Sequence, residues 1–173
     1  MKPRLIANLC AFALCVAIFS ATIFGAIFFS ACDGDKYAAL NESAPEIVAM
    51  DLDGKSVHLS DFSGKAIAIV FYKNGCEACV GVIPALDNYA KSANLASIAI
   101  NMANSKEEIM EFLEETPLLN TRVLRDSLGA SAKRFIINMT PTIVLLDKEH
   151  TIRAKIIGVT DFGKVEAQIK EWL

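Results

Sequence analysis

Two cysteines separated by two residues are the most reactive side chains in this sequence. They stand in Phe71-Tyr72-Lys73-Asn74-Gly75-Cys76-Glu77-Ala78-Cys79. A pair at this spacing can exchange electrons with other disulfides, supply half of a metal site, or simply pack in a core. Structural zinc takes four ligands, and no second Cys pair or His pair completes such a set. His58 and His150 are isolated and read as surface residues. No metal and no cofactor are therefore expected, and the choice between redox chemistry and packing rests on what surrounds the pair.

A strand and a helix surround it. Ala66 to Val70 is an apolar, partly β-branched run that reads as a buried central strand. Beyond the pair, Val82, Ile83, Leu86 and Tyr89 recur at helical spacing. Cys76 then falls near a helix N-terminus, with Cys79 one turn later on the same face. Only the thiolate attacks a disulfide, and a free cysteine with a pKa near ~8.5 is mostly protonated at neutral pH. Unpaired amides and the positive end of the helix dipole favour an anion at the helix start. Cys76 is thus expected to be the exposed attacking sulfur, and Cys79 the more buried one that resolves a mixed disulfide. Glu77 suits a first helical turn but opposes thiolate formation at its neighbour.

Met139-Thr140-Pro141-Thr142 is the second stretch with chemical meaning. Proline cannot donate to a sheet ladder, so Pro141 belongs at the entrance of the strand that follows. Cis peptide bonds are nearly confined to X–Pro. A cis bond here would turn the Thr140 backbone toward the cysteines, whereas a trans bond would leave an ordinary loop. The disulfide motif favours the first.

The apolar pattern predicts the elements that carry these motifs. Ile47 to Leu52 and Val57 to Leu59 flank Asp53-Gly54 as a hairpin. Ser60 to Lys65 turns the chain into the central strand, and Leu95 to Asn101 is a second buried strand. Ser105 caps a helix from Lys106 to Glu115 whose Ile109, Phe112 and Leu113 share one face. Thr121 to Leu124 is a short strand, followed by a helix from Asp126 to Phe135. Thr142 to Asp147 and Ile152 to Val159 pair across the turn from Lys148 to Thr151. Thr160 or Asp161 caps a last helix with Val165, Ile169 and Leu173 facing inward. Strands alternating with helices before a closing hairpin and helix predict one α/β domain over residues 44–173.

The 173 residues suffice for such a domain plus an extension. Their 53% hydrophobic content is raised by the N-terminus, where Leu5 to Ala31 forms 27 consecutive uncharged residues behind Lys2 and Arg4. At about 1.5 Å per residue a helix of this length spans a bilayer. The basic flank predicts a cytoplasmic N-terminus and an exported remainder. That remainder carries 15 Lys and Arg against 20 Asp and Glu, net −5, with no basic patch for nucleic acid. Residues 1–32 are read as a signal or membrane anchor and 33–43 as a linker. Phe29-Ser30-Ala31-Cys32 resembles the end of a bacterial lipoprotein signal, which implies lipidation at Cys32; the alternative is an uncleaved membrane helix. Phe29 stands where an aliphatic residue is usual. Either anchor holds the domain on the outer, periplasmic side of the cytoplasmic membrane.

The C-x-x-C after a central strand, Pro84 five residues past Cys79, and Thr140-Pro141 before a closing hairpin together resemble the thioredoxin fold. Ala44-Pro45-Glu46-Ile47 through Asp53-Gly54-Lys55 to Leu59-Ser60-Asp61-Phe62-Ser63-Gly64-Lys65 is similar to the TlpA/ResA-type branch, the membrane-tethered thiol-disulfide oxidoreductases of bacterial envelopes. The 62 positions from Cys79 to Pro141 exceed those of a plain thioredoxin and fit that branch's central helix–strand insert, here Ser105 to Leu124. The resemblance implies a thioredoxin-like fold with an N-terminal β-hairpin and an enzyme that reduces disulfides of exported proteins, often apocytochrome c. It implies electrons from a membrane thiol carrier of the DsbD/CcdA type. It makes Cys76 the nucleophile and Cys79 the resolving thiol. Thr140 and Pro141 would hold the partner chain extended, in the manner of strand addition, with Gly75 and Glu77 beside the reacting sulfur.

Some positions depart from that pattern. Gly75 replaces the tryptophan common before the first cysteine, so the surface there should be more open. Val70 occupies the place of the buried acid of thioredoxins, and Val82 that of a glutamate in ResA-like proteins. Without either acid, Cys79 is expected to stay protonated until a partner or water assists. Two other classes remain as alternatives. A peroxiredoxin-like thiol peroxidase would carry a proline and a threonine where Ile69 and Lys73 stand, and a copper-delivery module of the Sco type would have a wider cysteine spacing and a ligating histidine.

Overall fold

The structure is a computed structural model and describes residues 38–158 and 161–172. The expected membrane segment of residues 1–32, with Cys32, lies outside the described residues, as do Thr160 and Leu173. Among the described residues no helix is long and apolar enough to cross a membrane.

The fold is built on β3 (Ile67–Tyr72), in which every residue is buried. A β-strand sends alternate side chains to opposite faces, so one strand serves two cores. Ala68, Val70 and Tyr72 face Cys79, Val82, Ile83 and Leu86 of helix α1 (Glu77–Ala93). Ile67, Ile69 and Phe71 face the other way, onto Ile98, Ile100, Leu124 and Phe135. The rings of Phe71 and Phe135 lie 5.4 Å apart. β4 (Ala96–Asn101) and β5 (Thr121–Arg125) extend the sheet in parallel on one side, and β6 (Thr142–Leu146) and β7 (Ile152–Ile157) in antiparallel on the other. The hairpin of β1 (Ala49–Asp51) and β2 (Ser56–Val57) closes the far edge, giving the order β2-β1-β5-β4-β3-β6-β7.

The central insert is helix α2 (Lys106–Glu115) followed by β5. Ser105 caps α2 as expected, its hydroxyl accepting from the Glu108 amide while the Glu108 carboxylate accepts from the Ser105 amide. The short helix α3 (Ala130–Arg134) follows β5, and α4 (Phe162–Trp172) lays Val165 and Ile169 on the α1 side of the sheet. Asp161 Oδ1 accepts from the Gly163 amide at the start of α4.

Three expectations shift. The helix expected from Asp126 begins only at Ala130, because the buried Asp126 carboxylate turns forward to accept from the Ala130 and Ala132 amides. The hairpin strands are shorter than expected, since the Glu46 carboxylate takes the Leu59 amide and Leu59–Phe62 winds into a 3-10 turn. Residues 38–43, read as part of a linker, hydrogen-bond along the domain, with Ala38 donating to Arg134 and Asn41 to Ile152.

Candidate active site

β3 ends at Tyr72, and the next four residues carry the chain into α1. Gly75 makes the bend with φ +76°, a left-handed backbone that other residues adopt only with strain. Cys76 then occupies the helix N-cap position with extended backbone, and its carbonyl accepts the Cys79 amide at 3.0 Å. Cys76 and Cys79 are joined as a disulfide, with Cα atoms 5.2 Å apart. Cys79 is buried under the helix, whereas Cys76 is half-buried at its tip. The Cys76 side chain makes no cap hydrogen bond in the disulfide form, but its N-cap position places it at the positive end of the helix, which favours a thiolate once the disulfide opens.

The loop before the pair is anchored by asparagines. Asn74 donates its amide to Asn104 Oδ1 at 2.8 Å and its side-chain Nδ2 to the Glu108 carbonyl at 2.7 Å. Asn101, fully buried at the end of β4, donates to Asn74 Oδ1 and accepts the Ala103 and Asn104 amides. The insert helix α2 is thereby tied directly to the residue two before Cys76.

Opposite the cysteines, the Thr140–Pro141 bond is cis. Pro141 is buried at the mouth of β6, and its carbonyl accepts the Gly158 amide at 2.8 Å. The Thr142 hydroxyl donates to the Met139 carbonyl at 2.7 Å. Among the described residues nothing hydrogen-bonds to the main chain of Thr140. A side chain at Gly158 would meet Met139 Sδ at 3.3 Å, so glycine there makes room for the Met139 thioether.

Between the two motifs runs an open groove of about 570 Å³. Cys76, Glu77 and Ala78 form one wall, Asn138, Met139 and Thr140 the other, with Lys73 and Met102 completing the lining. Of the residues singled out from sequence, Cys76, Glu77 and Thr140 line the groove, Cys79 and Pro141 are buried behind it, and exposed Gly75 shapes the approach. Lys73 and Met139 stand inside the two sequence motifs but are not among the expected site residues. Met102 has no local sequence signal, because it reaches the groove only through the parallel pairing of β4 with β3.

The charged side chains at the groove are Lys73 and Glu77. Val70 and Val82 are buried in the same cluster as Cys79, so the two places named for an acid are apolar. Tyr72 also lies in that cluster, and among the described residues its hydroxyl has no partner within hydrogen-bond distance. Burial pushes its pKa up to about 12 against a smaller opposing effect of the Asn101 side chain, so it stays a neutral phenol. Among the described residues no group of acidic, His and Cys side chains could hold a metal ion.

The arrangement can perform thiol-disulfide exchange: one sulfur at a helix tip, a second within bonding reach behind it, and alongside them a main-chain edge that no described residue occupies. Comparison with known proteins agrees with this chemistry. The chain is 26% identical over 155 residues to the thiol-disulfide oxidoreductase ResA of Bacillus subtilis, covering 88% of this chain and 82% of the relative. Among solved structures it is similar to the thioredoxin domain of a thiol-disulfide oxidoreductase from Bacteroides vulgatus, with 29% identity, a TM-score of 0.62, and 76% and 98% of the two chains covered. A thiol:disulfide interchange protein from a Bacteroides species matches with 28% identity, a TM-score of 0.63, and 77% and 91% covered. The profile of the AhpC/TSA family matches residues 40–155, from just before the hairpin into β7. On that match the chain belongs to the AhpC/TSA family.

Proposed function

We propose that this thiol-disulfide oxidoreductase works as a reductase on exported proteins, held by its N-terminus at the outer face of the bacterial cytoplasmic membrane. The anchor is a lipid on Cys32 or the uncleaved segment before it. A membrane thiol carrier of the DsbD/CcdA type supplies the electrons, and apocytochrome c is a candidate substrate. The observation that supports the thiol-disulfide exchange on which this reading rests is the Cys76–Cys79 disulfide opening onto a groove beside Thr140, whose main chain has no hydrogen-bond partner among the described residues.

In the reduced protein the Cys76 thiolate attacks one sulfur of the partner's disulfide. A Cys76–partner bond forms and the second partner sulfur leaves as a thiolate, which takes a proton. Cys79 then loses its proton and attacks Cys76 Sγ, forming the Cys76–Cys79 bond and releasing the partner's other thiol. Two electrons and two protons pass to the partner, and the protein is left in the oxidised form described above. During the mixed disulfide, the partner chain pairs its backbone with Thr140, as in strand addition.

Reduction of insulin disulfides by the dithiol form tests this. Cys76→Ser should abolish it, and Cys79→Ser should accumulate a partner-bound mixed disulfide. Equilibration with glutathione or dithiothreitol buffers should give a potential nearer about −270 mV than about −120 mV. A value at the oxidising end would make the protein a disulfide donor, and turnover of hydrogen peroxide would make it a peroxidase instead.

A further inference from the structure

Helix α3 ends in a complete Schellman motif: the Ile137 amide donates to the Ala132 carbonyl at 2.8 Å, and the Ile136 amide to the Lys133 carbonyl at 3.1 Å. The left-handed residue of such a motif is usually glycine. Here it is Ile136, with φ +52°. For a β-branched side chain this backbone is a steric outlier. The Ile136 side chain is 44% exposed, so burial does little to offset the strain.

Lys155, from β7, reaches across to this turn. Its Nζ donates to the Phe135 and Ile136 carbonyls, both at 2.7 Å. A helix C-terminus leaves such carbonyls without partners and carries negative partial charge, so an ammonium group is the fitting complement. The site withdraws the lysine partly from water, which lowers its pKa from the ordinary value. A surface lysine would swing its head into solvent instead. Two residues beyond Ile136 the chain becomes the groove wall: Asn138, Met139 and Thr140.

We propose that Lys155 is a positioning residue for the partner-binding loop: its ammonium clamps the left-handed turn at Ile136 and so sets where Met139 and Thr140 stand against Cys76. The proposal rests on reading the Thr140 loop as the surface that binds protein partners. Lys155 does not touch the reacting sulfurs, so its loss acts on partner docking rather than on thiol reactivity.

The test compares K155M, K155R and the double variant K155M/I136G, after reduction, on insulin and on dithiobisnitrobenzoate. K155M should raise the KM for insulin about tenfold with little change in kcat, and leave the reaction with the small disulfide within about twofold. K155R should restore most of the loss. K155M/I136G should also recover, because glycine adopts the turn without a clamp. Amide hydrogen exchange over Ile136 to Thr140 should rise in K155M and fall back in the double variant, and this arm reads the clamp even if insulin proves not to be a substrate. A wild-type protein that leaves insulin intact defeats the reductase reading; unchanged exchange in K155M defeats the clamp. An equal loss on both disulfides, or a double variant that recovers neither fold nor docking, likewise overturns it.

Discussion

Asn101 Nδ2 donates to Asn74 Oδ1 at 3.1 Å, linking the end of β4 to the loop two residues before Cys76. The same Asn101 side chain accepts the Ala103 and Asn104 amides. Its oxygen thus holds the turn leading to the insert, while its nitrogen holds the loop leading to Cys76. The loop before Cys76 and the turn into the insert are therefore coupled through one buried side chain.

Removing that side chain leaves two amides without their partner. Asn101→Ala should cost about 2 kcal/mol, since two part-buried amides and the Asn74 side chain each lose a hydrogen bond worth about 1 kcal/mol or less. Urea unfolding measures the loss. The rate of Cys76 alkylation should change as well, because the loop that presents it is released.

Tyr72 behaves in the opposite sense. Among the described residues its buried hydroxyl has no partner within hydrogen-bond distance and only a weak influence from the Asn101 side chain, so Tyr72→Phe removes a polar atom that gains little from its site. The variant should be within about 0.5 kcal/mol of wild type or more stable, as expected when a buried polar group is replaced by an apolar one of the same shape. A thermal melt decides it.

Asp87, buried in α1, accepts the Leu119 and Asn120 amides and the Asn120 side chain, binding the active-site helix to the segment before β5. Burial pushes its pKa up, but the Asn120 and Leu119 hydrogen bonds outweigh this and leave it below the ordinary 3.8. Because the folded value is depressed, the stabilisation is fully present above the unfolded pKa and is lost as pH falls through the folded one. Asp87→Asn should therefore be less stable at neutral pH and show a shallower loss of stability below about pH 4, where a carboxylate of this kind protonates. Denaturant midpoints across that range check the slope.

Gly75 has a positive φ and open space around a built Cβ. Gly75→Ala should consequently pay only the backbone strain, about 1 kcal/mol. Any larger loss in a chemical melt would mean that the loop before Cys76 is packed more tightly than the geometry indicates.

Local signals in the sequence were read well. The cap at Ser105 and the bounds of α2 agree with the structure because a capping box is completed within four residues. The cis bond before Pro141 was legible only beside the disulfide motif, since most X–Pro bonds are trans, and the two-sided burial of β3 was legible from an unbroken apolar run. The helix after β5 was misjudged at its start, since Asp126 looks like an ordinary first-turn acid until its burial makes the carboxylate fold forward onto Ala130 and Ala132. Lys155 carries no signal in the sequence; nothing near it in the chain announces the carbonyls at Phe135 and Ile136.

What the sequence by itself determined is which two sulfurs can pair, because the spacing of Cys76 and Cys79 along one helical turn is a local property. What stands across from them was decided only in three dimensions. Met102, Met139 and Thr140 come from distant parts of the chain and meet Cys76 because β4 and β6 both pair with β3. That pairing depends on the burial of whole strands, an energy summed over the sheet that no short stretch of residues contains.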